Sequence, residues 1–173
     1  MKKWFLLAVA VLACLSSCSK YWGWTDEGYY ARWATAYFWG NSKVADNARF
    51  SVHIKQGATY DEEHLNSGTE IKLEIVSLPT ESLAIPSGEY VVSDERELPF
   101  TIQAGAKNLA SGSIFTFRDY SDRDWISYPI ESGTVRIDQH GENIYSFKLF
   151  FVAGGEYFEY AYEGDVWVVD SSI

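Results

Sequence analysis

Arg49-Phe50-Ser51-Val52-His53-Ile54-Lys55 and Glu70-Ile71-Lys72-Leu73-Glu74-Ile75 alternate strictly between apolar and polar side chains. Successive side chains of a strand point to opposite faces, so Phe50, Val52 and Ile54 share one face and Arg49, His53 and Lys55 the other. A period of two with one charged face marks an antiparallel sheet half-exposed to water. The stripe Tyr145, Phe147, Leu149 and Phe151 repeats the pattern, with Ser146 and Lys148 opposite and Phe150 on the outer side. Further strands are expected over 29–39, 89–93, 100–103, 114–118, 133–138 and 143–152. A closing hairpin is expected from 157–162 and 166–169, turning at Glu163-Gly164-Asp165. No stretch carries a sustained helical stripe. Short strands with turn signals between them predict an all-β fold: a single antiparallel β-sandwich or a small closed barrel of about eight to ten strands.

The first residues are of another kind. Lys2 and Lys3 form a basic head, residues 4–14 are an almost unbroken apolar run, and Leu15-Ser16-Ser17-Cys18 follows. A basic head, an apolar core of about 7–15 residues and small residues before a cut describe an export signal. The run is too short for the ~20 apolar residues of a spanning helix. Leu15-Ser16-Ser17-Cys18 resembles a lipobox, the motif at which a bacterial lipoprotein is diacylated on its cysteine and cut just before it. The resemblance implies a signal peptide over 1–17, a lipidated Cys18, a tether over 18–27 and an all-β domain over 28–173. Val11-Leu12-Ala13-Cys14 fits less well, because a bulky leucine stands two before its cysteine.

Charge and cysteine content narrow the partners. The chain carries 14 basic and 24 acidic side chains, a formal charge of −10, which falls to −12 once Lys2 and Lys3 leave. Such a surface repels phosphate backbones and anionic headgroups, so nucleic acid is not expected as a partner and the membrane is reached through the lipid alone. Cys14 and Cys18 are the only cysteines. With one removed and one lipidated, neither a disulfide nor a thiolate metal site is available. Stability must then come from packing, for which 17 % aromatic residues provide the material. A membrane-spanning barrel is disfavoured because the expected strands are mostly about five to eight residues long, against ~9–11 needed to cross.

The order of turn and strand signatures is familiar: Ile85-Pro86-Ser87-Gly88-Glu89-Tyr90, Ile130-Glu131-Ser132-Gly133-Thr134-Val135, and Tyr160-Ala161-Tyr162-Glu163-Gly164. Together with Ala36-Tyr37-Phe38-Trp39-Gly40 they resemble the small all-β outer-membrane lipoproteins of Bacteroides-type bacteria, over about residues 31–170. The resemblance implies a sandwich or lipocalin-like barrel in the cell envelope and brings no catalytic residues. Ser19-Lys20-Tyr21-Trp22 lacks the acidic run that often marks surface display in those bacteria, which leaves the periplasmic and outer faces both open.

Nine aromatics fall between Tyr21 and Trp39. Exposed indole and phenol faces stack on the C–H faces of sugar rings, so a glycan platform is one reading. The other places Trp33, Tyr37 and Trp39 in the core, which leaves Trp22 and Trp24 to meet a ligand or the membrane interface. Asp119, Asp122 and Asp124 offer three carboxylates in a short loop, a weak Ca²⁺ candidate that lacks the full ligand set of a calcium loop and reads equally as a solvated hairpin tip. His53, His64 and His140 stand in no motif with a nucleophile or a second ligand. The expectation is therefore a lipid-anchored, non-catalytic binding or accessory protein without a cofactor, taking a glycan or a small hydrophobic ligand. The alternative is a structural subunit that docks on an outer-membrane partner protein.

Overall fold

A computed structural model describes residues 24–25, 28–59, 64–118 and 124–172. The strands are β1 (Trp24–Thr25), β2 (Gly28–Ser42), β3 (Asn47–Thr59), β4 (Ser67–Ser77), β5 (Gly88–Ser93), β6 (Thr101–Gln103), β7 (Ile114–Arg118), β8 (Ile126–Gln139), β9 (Ile144–Ala153) and β10 (Glu156–Asp170). The protein is all-β, as its alternation predicts, and the ten strands belong to one sheet that closes on itself where β2 pairs with β3.

The ring is uneven. Between β4 and β8 the gap is bridged by β7 at one end and by the β5–β6 pair at the other. The sheet is antiparallel except at two pairings, where β10 runs parallel to β2 and β5 parallel to β6. Parity explains the first case. The meander β2-β3-β4-β7-β8-β9-β10 reverses at every step, so its seventh strand runs in the direction of its first. An odd meander can close only through a parallel pair.

The expected closing hairpin at 163–165 is corrected. Gly164 is paired with Tyr145 and β10 runs straight through it, still on β9, before its far half reaches β2. The turn lies earlier, at Gly154-Gly155, where φ values of +61° and +79° suit a two-residue hairpin. Because each such strand has partners along its whole length, most are longer than expected: β2, β3, β4, β8 and β10 have 15, 13, 11, 14 and 15 residues, while β9 has the expected 10. Length therefore says nothing against a spanning barrel. The faces do, since the stripes Phe50-Val52-Ile54 and Tyr145-Phe147-Leu149-Phe151 are buried inside while Arg136 and Lys148 stand exposed outside. A spanning barrel presents the reverse to lipid. Among the described residues no helix is long and apolar enough to cross a membrane.

One end of the ring is closed by the chain between β4 and β5. Ile85 is buried there; its N–H donates to Tyr145 Oη (3.2 Å), and Tyr90 Oη donates to the Pro86 carbonyl (2.7 Å). Gly88 is needed beside this plug, because a Cβ on it would lie 2.8 Å from the Phe100 ring. The opposite end is where the site lies.

Candidate functional site

The ladder between β2 and β10 begins only at Ala34 and Val166. The first half of β10 has β9 on one side and no described ladder on the other, so the wall parts at the end where β2 starts and β9 turns into β10. Side chains span the parting instead. The Arg32 guanidinium donates to the Ala161 carbonyl (2.7 Å) and lies 5.0 Å from the centre of the Tyr162 ring. Tyr160 Oη donates to Gln56 Oε1 on β3 (2.7 Å).

Inside this end lies a cavity of about 510 Å³. Its apolar wall is Phe115 and Phe117 from β7, Tyr128 from β8, Phe151 from β9, and Phe158 and Tyr160 from β10. Alternation aims each of these side chains inward. The rings pack on one another: Phe115 to Phe158 at 4.6 Å between centroids, Phe115 to Phe151 at 5.4 Å, and Phe117 to Tyr128 at 6.2 Å. Polar groups are few. Thr69 stands on the β4 side and Glu156 and Glu159 on the β10 side. Among the described residues the lining holds no histidine, cysteine or lysine.

Electrostatics follow from the packing. Burial raises the pKa of Tyr160, and it pushes Tyr162 up to about 12 against the opposing pull of Arg32. Both phenols are therefore neutral hydrogen-bonding groups at neutral pH. The lining can hold an apolar body with a small polar end; among the described residues it brings together no pair that would activate a nucleophile.

The residues singled out in the sequence fall elsewhere. Cys18, Trp22, Asp119 and Asp122 lie outside the described residues. Trp24 forms β1 and pairs with Tyr29 at the start of β2, the cavity end of the ring. Asp124 is exposed, and the described residues contain no group of three or more metal-ligating side chains. His64 and His140 are exposed, while His53 is half-buried with Nδ1 3.2 Å from Glu70 Oε1. The expectation that Trp33, Tyr37 and Trp39 are core is corrected. They face outward, and the intervening Ala34, Ala36 and Phe38 are buried.

The cavity residues went unrecognised in the sequence. Phe115-Phe117 and Phe158-Tyr160 are visible there as alternating stripes, but only the parting of β2 from β10 leaves space between them. Comparison of the chain with family models, with curated proteins and with solved structures finds no match.

Proposed function

We propose that this chain is a lipid-anchored, non-catalytic binding protein of the outer membrane that takes an apolar or amphiphilic small molecule into the aromatic cavity. The cavity carries the reading. Its volume falls within the roughly 300–1,000 Å³ range of small-molecule sites, and its largely apolar lining with a few placed polar groups is what such sites present. The tether supports it. Five residues lie between Cys18 and Trp24, a reach of about 20 Å when fully extended, and β1 joins the ring at the cavity end. A lipid on Cys18 would hold the cavity near the membrane, where apolar ligands concentrate.

Titration with N-phenyl-1-naphthylamine, a neutral apolar dye that fluoresces when shielded from water, tests the cavity. Saturable binding with about one dye per chain is expected. Thr69→Phe puts a ring into the cavity from a half-buried position and should weaken binding at least tenfold while the melting temperature holds. Unsaturable binding, or an unchanged affinity in Thr69→Phe, would end the proposal. The anchor is tested separately. Labelled palmitate should enter the wild type during expression in a Gram-negative host and be absent from Cys18→Ser, and equal labelling of both would remove Cys18 as the lipid site.

A further inference from the structure

We propose that the outer face of β2, β3 and β4 carries a second site, for a neutral saccharide, built from Tyr37, Trp39, Ser51, His53, Lys72 and Glu74. Those six residues line a surface concavity of about 470 Å³, separate from the aromatic cavity. Neither site depends on the other.

The construction starts from the strand period. Odd-numbered residues of β2 point outward, and Trp39 remains 54 % exposed. Its indole N–H is already used: Nε1 donates to Ser51 Oγ at 2.8 Å. Ser51 Oγ donates in turn to Glu74 Oε2 at 2.6 Å, and Lys72 Nζ sits 2.7 Å from Glu74 Oε1. This chain of contacts crosses three strands, since Ser51 pairs with Tyr37 on one side and with Glu74 on the other. The Tyr37 ring lies 27° from the plane of the Trp39 ring with centroids 6.4 Å apart, and the His53 ring meets Tyr37 edge-on at 5.6 Å. An aromatic surface held this way loses little freedom when something lands on it.

The lining selects the ligand. A pyranose has a C–H face that stacks on an aromatic ring and a rim of hydroxyls that both donate and accept. Here the aromatic surface is bordered by a carboxylate, an ammonium and an imidazole, which accept and donate around such a rim. An apolar ligand would leave those polar groups desolvated. A peptide that adds a strand needs a free sheet edge, and β2 at Tyr37, β3 at Ser51 and β4 at Lys72 are each paired on both sides. Charges of both signs at the site, on a chain of net charge −10, favour a neutral sugar over a polyanion.

The surroundings extend the surface. Trp167 of β10 is 74 % exposed and pairs with Thr35, which lies between Trp33 and Tyr37 on the outer side of β2. The site also lies away from the tether, because Trp39 is ten residues along β2 from Tyr29, about 30 Å of strand.

Calorimetric titration of the purified protein with cellohexaose, mannohexaose, maltohexaose and chitohexaose tests the proposal, with heparin as a polyanion control. At least one neutral hexasaccharide should bind saturably and heparin should not. Trp39→Ala should weaken that binding at least tenfold and leave the dye affinity of the cavity unchanged, which also reports that the variant is folded. Lys72→Ala, at a half-exposed position, should weaken it several-fold and serves if Trp39→Ala does not fold. Binding by none of the four, saccharide affinity unchanged in the folded variants, or binding of heparin alone would overturn it.

Discussion

Gly68→Val should cost about 3–5 kcal/mol of folding stability. Gly68 has φ +123°, a conformation that side-chain-bearing residues rarely adopt, and holding valine there costs about 1–3 kcal/mol. A Cβ on Gly68 would also lie 2.2 Å from the Gln56 carbonyl oxygen and 2.6 Å from Gly57 Cα. Its register partner is Gly57 itself, so two glycines face each other across β3 and β4. Both obstacles are backbone, which cannot swing aside, and overpacking adds a further ~1–3 kcal/mol. Against a total of roughly 5–15 kcal/mol this is a large share. The melting temperature should fall by about 10–15 °C, at the ~2–4 °C per kcal/mol expected for a chain of this size. Gly155→Ala is the comparison, since nothing lies within 4 Å of its Cβ and only the φ of +79° opposes the change; a loss of about 1 kcal/mol is expected. Equal melting of Gly68→Val and the wild type would mean that the two strands do not meet this closely. The neighbours link this position to the cavity, for Gln56 receives the Tyr160 hydroxyl and Thr69 lines the wall.

Cooperative unfolding between about pH 10 and pH 12 is the second expected result. Tyr90, Tyr145, Tyr160 and Tyr162 all have pKa values raised, in each case chiefly by burial. The unfolded chain releases these protons near pH 10, whereas the folded chain keeps them, Tyr162 up to about pH 12. A group whose folded pKa is raised contributes stability that is complete below its unfolded pKa and is lost as pH climbs through the folded one. Stability should therefore be level up to about pH 10 and then fall steeply. Each pKa unit of difference is worth ~1.4 kcal/mol, and the four losses act together. Tyr90 also holds the plug at the closed end, so ionising it removes the proton it donates to the Pro86 carbonyl at the same time. Phenolate absorbance and circular dichroism followed together make the test. The tyrosines should ionise in step with loss of the β signal; ionisation near pH 10 with the sheet intact would contradict their burial.

The two corrections to the aromatic and C-terminal readings share a cause. Between Tyr29 and Trp39 nearly every residue is apolar or aromatic, so the alternation that marks β3 and β4 has no contrast there. Ala34, Ala36 and Phe38 proved to be inside and Trp33, Tyr37 and Trp39 outside, because other walls fill the interior: Phe50 of β3 packs on Phe38 at 5.1 Å, and Phe147 of β9 on Tyr162 of β10 at 6.2 Å. At Glu163-Gly164-Asp165 the composition suits a turn, but the strand keeps its partner β9 through all three residues and meets β2 from Val166 onward, so it gains more from continuing. Where a segment is short and bounded by strong turn signals, local reading sufficed, and β7 spans the expected 114–118.

What the sequence determined by itself is the all-β class and the inward set of β3, β4 and β9, since a period of two is a local property and one face must leave water. It also supplied the aromatic material of both sites without showing where that material would gather. Tertiary structure decided the closure. An odd meander brings β10 parallel to β2, and the two strands pair over only part of their lengths, which opens the cavity between stripes of β7, β8, β9 and β10. It likewise decided that Tyr37 and Trp39 stand on an uncovered outer wall beside Ser51, Lys72 and Glu74. Both outcomes depend on which distant strands become neighbours, and alternation along one strand carries no information about that.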